Sequence, residues 1–302
     1  DVQYGWSRDR EPLVSVASGC ELTVETQDAS DGQLGPGSTA HSLAALDSTR
    51  ANPVAGPVFV EGARPGDVLQ VELLAVTPGG YGWTGLIPGF GLLADQFPDP
   101  WLYVWQLEPD GAPFVNGIRV PIEPFCGILG VAPAEAGVHS AIPPRRVGGN
   151  LDTRQLRAGT TLYLPVEVEG AYFGIGDTHA AQGDGEVCGT AIEGPMSVSV
   201  RLSVRRDLAI DTPEFDVTGP LERATAAAAG YHATTGVGPD LLGATRQSVE
   251  RMIVHLARQY GLSPEEAYVL CSVAVDLRIS EVVDAPNWVV SAFLPKDLFT
   301  TT

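Results

Sequence analysis

Hydrophobic and polar positions alternate along much of the first two thirds of the chain, the pattern of half-buried strands. Residues 13–26 alternate loosely, with Leu13, Val14 and Val16 before Gly19 and Leu22 and Val24 after it. That spacing predicts two strands around a glycine turn. Residues 57–76 carry a cleaner signal: Val58 and Val60 alternate, residues 61–67 supply turn chemistry, and the strand pattern resumes from Val68 to Leu74. Residues 165–171 closely repeat residues 57–63, which either a duplicated β-unit or coincidence explains. Residues 79–150 are dense in Gly and Pro, with Trp83, Phe90, Phe97, Trp101, Tyr103 and Trp105 interleaved. They predict irregular loops over a β-core, of the kind that line pockets.

The period changes near residue 220. Leu242, Val249, Met252, Ile253, Leu256 and Tyr260 recur at helical spacing between Pro239 and Gly261. Ser263-Pro264-Glu265-Glu266 then has the cap, first-position proline and third-position glutamate of a helix start, with the helix running through Val275. A last strand is expected from Trp288 to Leu294. The predicted fold class is therefore mainly β, with a sandwich- or barrel-like core over residues 1–206 that carries the site. A smaller α+β portion over 207–302 is expected to pack into the same globule.

Composition narrows the function classes. A hydrophobic content of 44% in 302 residues is that of a folded protein. The net charge is −19, with one lysine, Lys296, against 17 arginines; such a chain repels phosphate backbones and anionic membranes. Neither nucleic acid nor a membrane is an expected partner. The lone lysine also argues against lysine-dependent amidase designs, and no Gly-x-Ser-x-Gly elbow is present. Cys20, Cys126, Cys188 and Cys271 lie far apart with no Cys-x-x-Cys pair, as in a cytoplasmic protein with scattered thiols. No apolar run reaches the ~18 residues of a membrane span, and no signal-peptide pattern opens the chain.

Gly80-Tyr81-Gly82-Trp83-Thr84-Gly85 fits a dinucleotide-binding expression. That fingerprint needs a following helix, whereas Pro88, Gly89 and Gly91 follow, so nucleotide binding is not expected. Residues 176–195 are different. Asp177, His179, Gln182, Asp184, Glu186, Cys188 and Glu193 crowd between an apolar run and an alternating one. Carboxylates and imidazole are the groups that hold borderline metals and move protons. On an extended strand Asp177 and His179 share a face. The Gly183-Asp184-Gly185 turn would bring Glu186 to Glu193 back alongside, and Asp152 offers a remote carboxylate. A hydrogen-bonded structural histidine and a Cys188 thiolate with His179 as its base stay open as rivals. Asp28, at a strand end, is a secondary candidate for the pocket, with Gln182, Trp83 and Phe90.

Long ordered motifs carry a family likeness. They are Thr-Gln-Asp-Ala-Ser (26–30), Gly-Pro-Val-Phe-Val-Glu-Gly-Ala (56–63), Ile-Pro-Gly-Phe-Gly (87–91), Gly-Gly-Asn-Leu-Asp (148–152), residues 176–193, and Leu-Cys-Ser-Val-Ala-Val-Asp-Leu-Arg-Ile-Ser-Glu-Val-Val-Asp (270–284). Over nearly its whole length the chain resembles the acetamidase/formamidase family. The resemblance implies a mainly β homo-oligomer that hydrolyses short linear amides to carboxylate and ammonia with metal assistance. It implies Asp152, His179 and Glu193 as metal ligands, with Asp177, Gln182 and Glu186 lining the same site. The chain is shorter than the longer formamidases, which bears on substrate choice.

The expected chemistry is water attack on the carbonyl of a small amide, helped by a divalent metal, zinc first, with Glu186 or Asp177 moving the proton. Loops around Trp83 and Phe90 are expected to enclose a pocket that selects small acyl groups. A Cys188-dependent amidase and a non-catalytic β-sandwich binding protein are the alternatives.

Overall fold

Paired strands account for most of the residues the alternation marks. The computed structural model describes residues 2–219, 221 and 229–299. One sheet orders Val2–Gln3, Val54–Val60, Phe173–His179, Phe125–Gly130 and Gly148–Asn150, with Val14–Val16 added parallel to Val54–Val60. A second orders Glu214–Asp216, Thr161–Pro165, Val68–Pro78, Met196–Arg205 and Cys20–Glu25. Met196–Arg205 buries alternate residues, as a strand with one face on the core must. Phe125–Gly130 and Phe173–His179 are buried at every position, which is why they read as apolar runs without alternation.

The aromatic stretch departs from expectation. Tyr81–Leu86 and Trp101–Gln106 form an antiparallel pair, and Trp83 and Trp105 are buried; the aromatics stiffen a ribbon where loops were expected. Gly80 to Gly85 thus lies largely in a hairpin strand, with no helix to present to a pyrophosphate. The repeated phrases are not equivalent units either. Residues 57–60 lie inside one strand, whereas Pro165 ends a strand of the other sheet. The Val60 amide donates to Gly170 O and the Gly170 amide to Ala63 O, each at 2.9 Å, so the two segments dock on each other.

The helices fall where their caps place them, at Leu241–Tyr260 and Pro264–Ala274. Asp240 accepts from the Gly243 amide, Gly261 ends the first helix at φ 69°, and Ser263 and Glu266 form the capping box of the second. Two strands without clear alternation, Tyr231–Gly238 and Asp276–Glu281, flank Trp288–Pro295. Leu256 and Leu270 of the helices join Leu73, Phe173 and Val200 in one buried cluster. The second helix also braces the loop after His179. Ser272 Oγ donates to Thr190 O at 2.7 Å, Ser272 O accepts from the Gly183 amide at 2.8 Å, and Tyr268 bonds Val187 O. Among the described residues no helix is long and apolar enough to cross a membrane.

Candidate active site

His179 ends the central strand Phe173–His179, and the chain then loops out and returns beside it. The Ala180 amide donates to Ile192 O at 2.8 Å and the Gly194 amide to Thr178 O at 3.0 Å. On its other flank Glu193 exchanges both backbone hydrogen bonds with Trp83, each 2.8 Å. This two-sided pairing fixes Glu193 against His179, as the turn at residues 183–185 predicts. The imidazole is fully buried. Its Nδ1 meets Gln182 Oε1 at 2.9 Å, and Gln182 Nε2 donates to Asp152 O at 2.7 Å. Nδ1 therefore carries the proton, and Nε2 points at acids.

Nε2 lies 3.0 Å from Glu193 Oε2 and 3.3 Å from Asp177 Oδ1. These contacts are close but poorly aligned: His179 Nε2 and Glu193 Oε2 are both buried without a hydrogen-bond partner, and so is Asp152 Oδ1. Donor atoms of Asp177, His179 and Glu193 lie within 4.8 Å of one another, and Asp152 and Glu186 form a second such group with the same histidine. Four carboxylates thus surround one imidazole. Burial, then Asp177, pushes Asp152 up to about 7. Burial likewise raises Glu193 to about 7, and raises Glu186 well above the usual carboxylate range with Asp152 adding to it. Burial opposes charge on His179, but Glu193 and Asp177 together hold it well above its usual value. A divalent cation would relieve this excess of buried negative charge. Separations of 3.0–3.3 Å suit donors sharing an ion at ~2.0–2.2 Å, so the residues present fit a metal.

The backbone here is unusual. Asp152, Asp177 and Glu186 have φ of 44°, 50° and 44°, a left-handed conformation that favours glycine. Asn52, whose side chain donates to Asp177 Oδ2 at 3.4 Å, is left-handed too at φ 51°. Four of the eight non-glycine residues at positive φ among the described residues therefore line one cavity, at about 1–3 kcal/mol of strain each. Asp177 and His179 do meet as same-face neighbours, but through this kink and not through ideal strand geometry.

The cavity has a volume of about 750 Å³. Asp152, Asp177, Glu186 and Glu193 form its polar end, and Trp83 and Phe90 its walls with other apolar side chains. Its size departs from the small enclosure expected around Trp83 and Phe90.

Asp28 and Gln182, expected at the pocket, do not line it. Gln182 stands behind His179 as its orienting partner. Asp28 is fully buried and accepts from Trp83 Nε1 at 2.9 Å, the Ser30 amide at 2.8 Å, the Gly32 amide at 3.1 Å and the Ser30 hydroxyl. It pins the wall, not the ligand. Replacing Asp28 with alanine strands these donors and is expected to destabilise the fold by ~2–4 kcal/mol. Thermal melting and the Trp fluorescence of Trp83 check this, with a rise in KM as the wall loosens.

Cys188 is also displaced from chemistry. Its Sγ is buried and donates toward Thr190 O at 3.4 Å, and burial pushes its thiol up to about 11. The thiol's hydrogen-bond contacts are Gly85 O and Thr190, not His179. Asp184 is held by Arg154 Nε at 2.9 Å, and the same buried guanidinium reaches Asp276 at 3.2 Å. Asp184 is thus a structural anchor two residues before Glu186.

Gly127 is a site residue that spacing did not reveal. A Cβ there would lie 2.6 Å from Asp152 Oδ1 and 2.8 Å from both Asp177 O and His179 Cε1. Its carbonyl also accepts from the Leu151 and Asp152 amides at 2.9 and 3.2 Å. A lone glycine inside an apolar strand run is the available signal, since it marks close approach. Asn52, before a proline, and Thr190 were likewise not singled out, though both border the cavity.

The sequence profile described as the acetamidase/formamidase family matches residues 2–141 and 136–301. The chain belongs to the acetamidase/formamidase family. That membership places it among hydrolases of linear amides. A formamidase of Methylophilus methylotrophus is 27% identical, over 99% of this chain and 89% of that protein. An acetamidase of Mycolicibacterium smegmatis is 28% identical over 62% of each chain. Among solved structures, a gamma lactamase from Delftia acidovorans superposes with a TM-score of 0.91 at 26% identity, covering 99% of this chain and 90% of that one. An acetamidase from Bacillus halodurans gives 0.69 at 32% identity, over 97% and 95%.

Proposed function

We propose that this family member hydrolyses the carbon–nitrogen bond of amides at a divalent-metal site, zinc being the first choice. One observation carries the reading: acidic groups and a histidine with unpartnered buried atoms converge at the polar end of an apolar cavity. His179 Nε2, Glu193 and Asp177 are the groups that would hold the ion, with Asp152 adjoining. Relative to the sequence reading, Asp177 takes a ligand's place and Asp152 pairs with Glu186. A bound divalent ion supplies Lewis acidity toward the amide carbonyl.

The protein's own groups account for the rest. Glu186 adjoins Asp152 and borders the cavity, and a proton on one of these neighbouring acids relieves the repulsion between them. Glu186 takes the proton from the attacking water and passes it to the amide nitrogen as the C–N bond breaks. The products are a carboxylate and, from a primary amide, ammonia. Gln182 keeps the imidazole's proton on Nδ1 so that Nε2 stays a donor to the ion. A homo-oligomeric, cytoplasmic enzyme fits the reading.

The test is ammonia release from formamide, acetamide and propionamide, with metal content measured beside it. Activity should follow metal content through chelation and zinc reloading, and Cys188→Ala should keep at least half of it. Activity that survives full metal removal but disappears in Cys188→Ala would sink the reading. A second reading, ring opening of a cyclic amide without ammonia release, rests on the TM-score of 0.91 to the gamma lactamase against 0.69 to the Bacillus acetamidase.

A further inference from the structure

A cavity of about 750 Å³ belongs to the range of ~300–1,000 Å³ that holds ligands of drug-like size. An amide of three or four heavy atoms fills only a small corner of that space. The remainder mixes polar residues such as Gln33 and Asp47 with a larger set of apolar side chains. Leu43, Leu46, Ile87, Phe90, Ile142 and Pro143 supply its apolar wall. Phe90 and Ile142 are 50% and 48% exposed, although both carry large apolar side chains at the border of a cavity. Water against such a surface is displaced favourably by an apolar ligand. Of the five acids lining the cavity, four, Asp152, Asp177, Glu186 and Glu193, stand together around His179, and only Asp47 lies outside that group. Such an arrangement orients a ligand with a single polar function and a hydrocarbon body.

We infer that the substrate is an amide whose acyl side carries an apolar group of about six to eight carbons, seated against Leu43, Ile87, Phe90 and Ile142 with its amide at the acidic end. The inference rests on the amide-hydrolase reading and names the substrate class of that same site. Its bond chemistry is the hydrolysis already written, so only recognition changes.

The zinc-loaded protein is assayed with formamide, acetamide, butanamide, hexanamide and cyclohexanecarboxamide, and the binding of each is measured by calorimetry. Each methylene that enters the cavity should raise kcat/KM by up to about fourfold, with hexanamide at least tenfold above acetamide. Ile142→Asp, at a half-exposed lining position and checked for an unchanged melting temperature, should reduce that hexanamide-to-acetamide ratio severalfold. A kcat/KM that is highest for formamide and falls with chain length overturns the inference, as does a ratio unmoved by Ile142→Asp. If no amide in the series turns over, the hydrolase reading fails. The calorimetry then decides separately: tighter binding of hexanamide than of acetamide supports the apolar seat, and equal or absent binding overturns it.

Discussion

Replacing His179 with alanine is expected to lower kcat/KM about a thousandfold or more and to empty the metal site. The reason is that Nε2 faces Asp177 and Glu193 and the same imidazole belongs to both acid groups of the site. Loss of Lewis acidity removes several kcal/mol of transition-state stabilisation, and ~4 kcal/mol corresponds to that thousandfold factor. Metal analysis of the purified variant should fall from about one ion per chain to near none. Removing the side chain leaves the flanking backbone pairs to Ile192 and Thr178 in place, so the strand end keeps its course. A His179→Ala protein that keeps its metal and most of its activity would refute the site.

Gly127→Ala should be nearly as damaging, though it adds only a methyl. The new Cβ would sit 2.6 Å from Asp152 Oδ1 and 2.8 Å from Asp177 O, contacts no packed structure accepts. One of its neighbours is backbone, so relief must come from moving either the strand Phe173–His179 or the Asp152 loop. Overpacking of this kind costs ~1–3 kcal/mol in stability, whereas a displacement near 1 Å in an active site can cost about a hundredfold in rate. The expected signature is a small drop in melting temperature with a large drop in kcat. Unchanged kcat would mean that Asp152 and Asp177 need not hold their observed positions.

Much of this arrangement was readable from residue order. The breaks at Pro239 and Gly261 and the capping box at Ser263 are local devices, and local devices survive into the fold. The crowding of Asp177, His179, Glu186 and Glu193 within eighteen positions was visible for the same reason, because a strand, a turn and a return strand need no distant partner. Gly127 was hidden because its role is the absence of a side chain at a crossing of three segments far apart in the chain. Asp28 was placed in the pocket because a carboxylate at a strand end resembles a binding group. Only the tertiary position of Trp83, fifty-five residues on, shows that its acceptors are spent on the wall. The aromatic ribbon was taken for loops because Gly and Pro surround it, yet the ladder between Tyr81–Leu86 and Trp101–Gln106 outweighs those local signals.

The left-handed backbone at Asp152 and Asp177 reverses the usual ranking of conservative changes. Asparagine enters this region as readily as aspartate, so an Asp-to-Asn exchange alters the charge and leaves the main chain undisturbed. Asp-to-Glu preserves the charge but presents a residue less at home there and one methylene longer. At these two positions the amide is the gentler substitute. A lineage that drifts through neutral steps would therefore reach a catalytically silent, well-folded binding protein more easily than a rearranged enzyme.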